Sequence, residues 1–297
     1  MSVFILKLIA VVSMLIDHTT YVLRLSGWLP PGQLYIAGRA VGRIAFVLYC
    51  FLLVNGFDKT RDRKKYLSRL LLFAVISQLP FTLAFTAANY RGAAETLFSF
   101  DALRAAVLLL PLIVCFFTLC ERRPEPLLFF LAAAFALASL RLTVAGICLF
   151  DPEETNVFYT LAASMAIMMF LDRLFSKEYD VLRALAVLAA LGVELYFVQR
   201  NADYGLKGVA MITGLYLCRK KRWAQLAVAA LWCFVEYRWC LFDYPQYAAY
   251  FIGALCALLP IALYNGKLGP KMRSFFYVFY PVHLALLGIL FVFILKH

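Results

Sequence analysis

Charge is scarce in this chain. Only 15% of its 297 residues are Asp, Glu, Lys or Arg, and just three are histidine, while 64% are hydrophobic. Soluble domains carry about 25% charged and about 45–50% apolar residues, so a water-soluble fold of this length has no way to cover its apolar surface. A Gly-rich phosphate loop, a G-x-S-x-G elbow and an H-E-x-x-H pair are all missing, which removes the commonest nucleotide, serine-hydrolase and zinc-protease signatures. Cysteines are not lacking, but Cys50, Cys115, Cys120, Cys148, Cys218, Cys233, Cys240 and Cys256 form no C-x-x-C and have no histidine at ligand spacing. They read as small apolar residues, and no metal is expected. No internal repeat of the kind found in many transporters is visible.

What is present is a series of long apolar runs bounded by charge. Helices cross a hydrocarbon core of about 30 Å with about 20 residues, and they satisfy their own backbone hydrogen bonds in lipid. The runs predict one all-α domain over 1–297, a polytopic membrane bundle. Its eleven spans fall near 4–24, 36–56, 66–86, 103–120, 127–149, 156–172, 181–199, 204–218, 223–241, 246–264 and 274–295. The first is expected to stay as a helix and not be cleaved as a signal peptide, because Asp17 and His18 interrupt it and no small-residue cleavage site follows.

Every second loop is basic. Lys59, Arg61, Arg63, Lys64, Lys65 and Arg69 follow the second span, Arg122 and Arg123 the fourth, and Arg173, Lys177 and Arg183 flank the loop after the sixth. Arg219 to Arg222 follow the eighth, and Lys267, Lys271 and Arg273 the tenth. Cytoplasmic loops are enriched in Lys and Arg, so this alternation predicts a cytoplasmic amino terminus and an external carboxyl terminus. It accounts for the net charge of +12 through topology and anionic membrane lipids, without nucleic acid. The density of the Lys59 to Arg69 segment also suits an anionic cosubstrate such as coenzyme A.

Ionisable groups at membrane depth cost a few kcal/mol and usually face a protein interior or a cavity. Lys7 and His18 stand eleven positions apart in the first span. Eleven helical residues turn about 20° past three full turns and rise about 16 Å, so both side chains share one face. Asp17 points about 100° away from His18 and is expected to contact a neighbouring helix. His18 either glues two helices by hydrogen bonding or serves as a general base, the usual task of an imidazole near neutrality.

In the second span, Gly38-Arg39-Ala40-Val41-Gly42-Arg43 sets both arginines one turn apart, and both glycines likewise. The glycines permit close helix approach, and the arginines, which repel one another, call for an anion between them. That anion is a carboxylate, a phosphate or a developing oxyanion, although Arg39 could instead snorkel to the interface. His283 follows Pro281, which loosens its helix, and is expected near the same cavity as His18. Glu194, Glu236, Arg238, Arg141 and the Asp203-Tyr204-Gly205 turn are further polar candidates, Asp203 and Glu236 in supporting roles.

The blocks LKLIAVVSMLIDH, GRAVGRIAFVLYCFLLVNGF, TRDRKKYLSRLLLFAVISQLPF, NVFYTL, DYGLKGV, LYNGKLG and FFYVFYPVHL resemble, in order and spacing, the TraX family. That family is named for an F-pilin acetylase and is similar in fold to the wider transmembrane acyltransferases, including acyltransferase family three. The wider group's basic residue, ten residues, then histidine looks like Lys7 and His18. Arg43 stands at the arginine of the family's GRxAF block, and Val47 where members usually carry proline.

The resemblance implies acetyl transfer from cytoplasmic acetyl-CoA in a bacterial inner membrane. His18 would be the catalytic base, Arg43 would steady the oxyanion, and His283 would be a second proton acceptor or a substrate-orienting group. Lys7, Arg39 and the Lys59 to Arg69 segment would hold the cosubstrate. A peptide amino terminus, a glycan, a lipid or a small metabolite would each serve as acceptor. A secondary transporter and a non-catalytic assembly or maturation factor are the competing readings.

Overall fold

Apolar runs of spanning length become helices. In the computed structural model the elements run α1 (Val3–Leu25), α2 (Gln33–Lys59), α3 (Arg63–Phe85), β1 (Leu97–Phe100), β2 (Leu140–Val144), β3 (Ile147–Phe150), α4 (Val157–Phe175), α5 (Val181–Asn201), α6 (Gly205–Leu217), α7 (Arg222–Phe242), α8 (Ala248–Cys256), α9 (Leu258–Ala262) and α10 (Arg273–Leu290). The structure describes residues 1–85, 97–103, 105, 134, 136, 138–144, 147–178, 181–270 and 272–292. Most of the expected fourth span, the first part of the fifth, Arg122, Arg123, Cys115, Cys120, Lys271 and His297 lie outside these residues. Among the described residues, α1, α2, α3, α4 and the segment Pro245–Ala262 are long and apolar enough to cross a membrane, with shorter apolar helices at Gly205–Leu217 and Phe275–Leu290. This is a polytopic helical membrane protein, and its described residues include a small three-stranded sheet.

The chain forms two units, residues 1–58 with 210–297, and residues 59–209. In the first, α1 shows how a membrane helix uses its circumference. Ile5, Leu8, Val12, Leu15 and Ile16 lie within about a 100° arc and are 39–48% exposed, an apolar stripe suited to lipid. Leu6, Ala10, Ser13, Met14 and Asp17 are buried. The start of α1 is clasped by the segment after α9. Val3 and Phe4 donate their amides to the carbonyls of Lys267 and Leu268 at 2.9 and 3.1 Å, and the Ser2 hydroxyl accepts from Ile5 at 3.4 Å. These are the amides that a helix start leaves without intrahelical partners. Gly269 makes the approach possible. Its φ is +74°, and a Cβ there would crowd Ser2 and Phe4.

Aromatic contacts fill the rest of this unit. Phe57 meets Tyr216 edge-on at 5.3 Å, Phe51 meets Tyr264 at 5.5 Å, and Phe46 lies 5.5 Å from Trp232. The expected tenth span corresponds to Pro245–Ala262, with a helical-region turn at Ala257 between α8 and α9, three residues before Pro260.

In the second unit, α4 packs against α3 and α5, and a buried amide network joins α3 to the start of α4. Asn156 caps α4 by accepting from the Phe158 amide at 3.1 Å. Its own side-chain amide donates to the Ala74 carbonyl at 2.8 Å and to Gln78 Oε1 at 2.9 Å, while Gln78 donates to the Glu154 carbonyl at 2.8 Å. Asn156 and Gln78 are 0% and 1% exposed. Thr160 donates to the Asp203 carbonyl at 2.5 Å, tying α4 to the turn before α6. That turn is left-handed at Tyr204 and Gly205, with φ of 64° and 48°.

One expected helix is corrected. The end of the fifth span, 127–149, is a hairpin in which β2 pairs antiparallel with both β1 and β3, giving the order β1-β2-β3. The segment is short and β-branched at Thr143, Val144 and Ile147, a composition that favours strands. Arg141 supplies the second reason. From β2 it reaches Asp151 at 3.5 Å and Glu153 at 3.2 Å, partners that would be absent in lipid.

The Asn156 network yields a stability prediction. Asn156→Leu removes a cap, the donor to the Ala74 carbonyl and one of two donors to Gln78 Oε1 in an apolar setting, so it should cost about 1–3 kcal/mol. A thermal melt in detergent should show a lower midpoint, with Arg61→Ala, on the exposed loop, unchanged.

Candidate active site

Asp17 and His18 are neighbours in sequence but serve opposite sides of α1. The Asp17 carboxylate turns to α2 and sits between two guanidinium groups. Arg39 Nη1 donates to Oδ2 at 2.8 Å and Arg43 Nη2 donates to Oδ1 at 2.9 Å. Arg43 Nε also donates to the Arg39 carbonyl at 3.1 Å. The Arg39 guanidinium lies 4.7 Å from the Tyr21 ring centre, and that of Arg43 lies 5.9 Å from Tyr250 on α8. The anion required between the arginines is thus supplied by the chain itself.

Close helix contact makes this geometry possible. A Cβ at Gly42 would overlap the Asp17 side chain, and one at Gly38 would overlap Thr20. The glycine and arginine spacings therefore work together. The same turn of α2 that carries the arginines has the space that admits the carboxylate.

On the other side, His18 turns to α10. Its Nδ1 lies 2.8 Å from His283 Nε2, and His283 Nδ1 lies 2.8 Å from the Phe279 carbonyl oxygen. The two imidazole planes differ by only 9°. Phe279 stacks on His283 at 4.7 Å, and Tyr280 presents its edge to His18 at 6.3 Å and to His283 at 5.6 Å. His283 is 4% exposed. Lys7 also faces α10, with its Nζ 5.1 Å from the Phe276 ring centre. The face shared by Lys7 and His18 is the α10 face.

The remaining candidates fall in both units. Glu236 is half-buried in α7 of the first unit. Lys59, Arg61, Arg63, Lys64, Lys65, Arg69 and Asp203 belong to the second unit. Within that group Arg63 is ion-paired to Asp172 on α4, and Arg69 lies against the Tyr66 ring at 5.7 Å. Lys59, Arg61 and Lys65 are exposed, and Lys64 is half-buried. The Lys65 amide takes a cap from Asp62 at 2.9 Å. Asp203 is exposed and acts through its backbone carbonyl, the acceptor of Thr160. Among the described residues no three His, Cys, Asp or Glu side chains converge as a metal-binding group.

Sequence reasoning missed Tyr21, Tyr250, Tyr280 and the Phe279 carbonyl. Only the last two carried a local signal, lying three and four residues before His283 on the same helix face.

A family model described as "TraX protein" matches residues 2–123 and 129–291. The chain belongs to the TraX family. It is also 28% identical over 295 residues to "Probable fimbrial assembly protein FimC, serogroup H1" of Dichelobacter nodosus, covering 96% of this chain and 94% of that protein. No solved structure matches it. Within this TraX protein, the α1, α2 and α10 blocks carry the ionisable cluster. NVFYTL and DYGLKGV instead carry the Asn156 and Thr160–Asp203 joints.

The Asp17 cluster makes its own prediction. Asp17→Asn keeps the shape but removes the carboxylate charge that two guanidinium groups share, which should cost about 3 kcal/mol by the behaviour of broken buried ion pairs. Adding Arg39→Gln should restore part of the loss. Thermal midpoints of the single and double variants in detergent measure both effects.

Proposed function

We propose that this protein is an integral membrane acetyltransferase that moves an acetyl group from cytoplasmic acetyl-CoA to an amine or hydroxyl presented from the membrane or the far side. The observation that carries the reading is the imidazole pair of His18 and His283, held between α1 and α10 beside a charged cluster. A hydrogen-bonded histidine inside an apolar bundle is suited to taking a proton at a protected site. In direct transfer, the acceptor nitrogen or oxygen attacks the thioester carbonyl and loses its proton to His18. The C–S bond then breaks, and the proton passes to the departing sulfur, giving an acetylated acceptor and the coenzyme thiol. Arg43, which the family block singles out, is the arginine proposed to steady the oxyanion, although it would share its charge with Asp17.

The basic segment that holds Lys59, Arg61, Lys64 and Lys65 is proposed for the coenzyme's phosphates on its density of positive charge; Arg63 within it is ion-paired to Asp172. The alternation of basic loops supports a bacterial inner-membrane protein with its amino terminus in the cytoplasm. One observation favours a second reading. The D. nodosus relative is named as a fimbrial assembly protein, which fits a non-catalytic assembly factor as well as an enzyme that modifies an assembling subunit.

The two readings separate on one residue. For the purified protein in proteoliposomes with acetyl-CoA, the enzyme reading expects release of coenzyme A thiol that falls about 100-fold or more in His18→Ala while the variant remains monodisperse. No thiol release above the protein-free rate by the wild type, together with intact fibre assembly in cells carrying His18→Ala, would support the assembly factor.

A further inference from the structure

The hydrogen-bond chain through His283 has a direction. A backbone carbonyl only accepts, so the His283 Nδ1 that stands 2.8 Å from the Phe279 oxygen must carry a proton. In a neutral imidazole one nitrogen donates and the other accepts, which makes His283 Nε2 the acceptor. His18 Nδ1, 2.8 Å from that nitrogen, is therefore the donor. It follows that a neutral His18 bears its lone pair on Nε2.

We propose that His283 is a positioning residue that fixes the tautomer and ring orientation of His18, so that Nε2 of His18 is the basic nitrogen. The inference rests on the acetyltransferase reading for its role in turnover, but its structural content stands apart from it. The neutral histidine side chain in water prefers the opposite tautomer, with the proton on Nε2, and in that form His18 would offer no base on its Nε2 side. The site is built to hold the rarer form. Phe279 stacks on the His283 ring, Tyr280 edges both rings, and the near-coplanar arrangement aligns the donor with its acceptor. The third member of a catalytic triad does the same for its histidine, orienting the imidazole and choosing its tautomer. Here a neutral histidine anchored to a carbonyl takes that place.

The proton balance is closed. The acceptor's proton goes to His18 Nε2, the resulting imidazolium keeps its Nδ1–H on His283 Nε2, and the Nε2 proton leaves with the thiolate. His283 changes neither its protons nor its partner. Asp17, Arg39 and Arg43 are the charged groups on the neighbouring face, and Tyr280 is the titratable group against both rings.

The test is spectroscopic as well as kinetic. With three histidines in the chain, 15N-histidine labelling in bilayers resolves each ring, using the His283 variants for assignment. Wild-type His18 should show a protonated Nδ1 and a lone-pair Nε2. His283→Gln, whose side-chain oxygen reaches the position of Nε2, should keep that tautomer and most of the turnover. His283→Leu should shift His18 to the Nε2–H form and lower kcat about 100-fold with KM for acetyl-CoA little changed. A wild-type His18 protonated on Nε2, or a His283→Leu variant with the wild-type tautomer, overturns the inference. Absence of any acetyl transfer by the wild type would instead refute the proposed function, and the tautomer of His18 would still decide this one.

Discussion

A carboxylate shared by two guanidinium groups organises the first unit. Charges inside a membrane protein persist only where they are paired or wetted, and Asp17 with Arg39 and Arg43 meets that demand within two helices. The constraint runs outward from there. Two arginines one turn apart need an anion, the anion needs α1 close to α2, and that approach needs Gly38 and Gly42 where any Cβ would collide. Removing the charge leaves a repelling pair, and removing the space leaves the charge nowhere to sit.

The same turn of α1 sets the chemistry. Because successive residues on a helix point about 100° apart, fixing Asp17 against α2 aims His18 at α10. The charged cluster then acts as an anchor that leaves the imidazole on the α10 side. On α10, Pro281 lies between Phe279 and His283, in a helix that carries both the histidine and the carbonyl to which it bonds. At the other end of α1, the clasp of residues 263–269 holds the helix start beside the chain leading into α10. Both ends of the α1–α10 contact are thus secured.

Much of this was legible in the chain, and the remainder has a physical reason for being hidden. Apolar run length gives the spans, and helical period gives the shared face of Lys7 and His18 and the divergence of Asp17. Period fixes a side chain's direction about its own axis, but it does not say which helix stands opposite. His18 and His283 are separated by 265 positions, and only tertiary packing puts them in contact. The hairpin at 140–150 was hidden because a short apolar run reads alike as the end of a helix or as strands. What separates the two is Arg141, whose acidic partners lie ten and twelve residues on. The Asn156 network escaped notice for a related reason, since polar residues at a helix start look like ordinary caps until a second helix supplies their remaining bonds.

The central claim is that the His18 site serves acetyl transfer. The most direct measurement incubates the purified protein in bilayers with acetyl-CoA labelled in the acyl group and a panel of peptide, glycan, lipid and small-amine acceptors, scored by mass spectrometry. The account predicts label covalently attached to at least one acceptor class, with coenzyme A formed in equal amount and both lost together in His18→Ala. No label on any acceptor and no thiol above the protein-free rate, from protein shown to be folded, would contradict it.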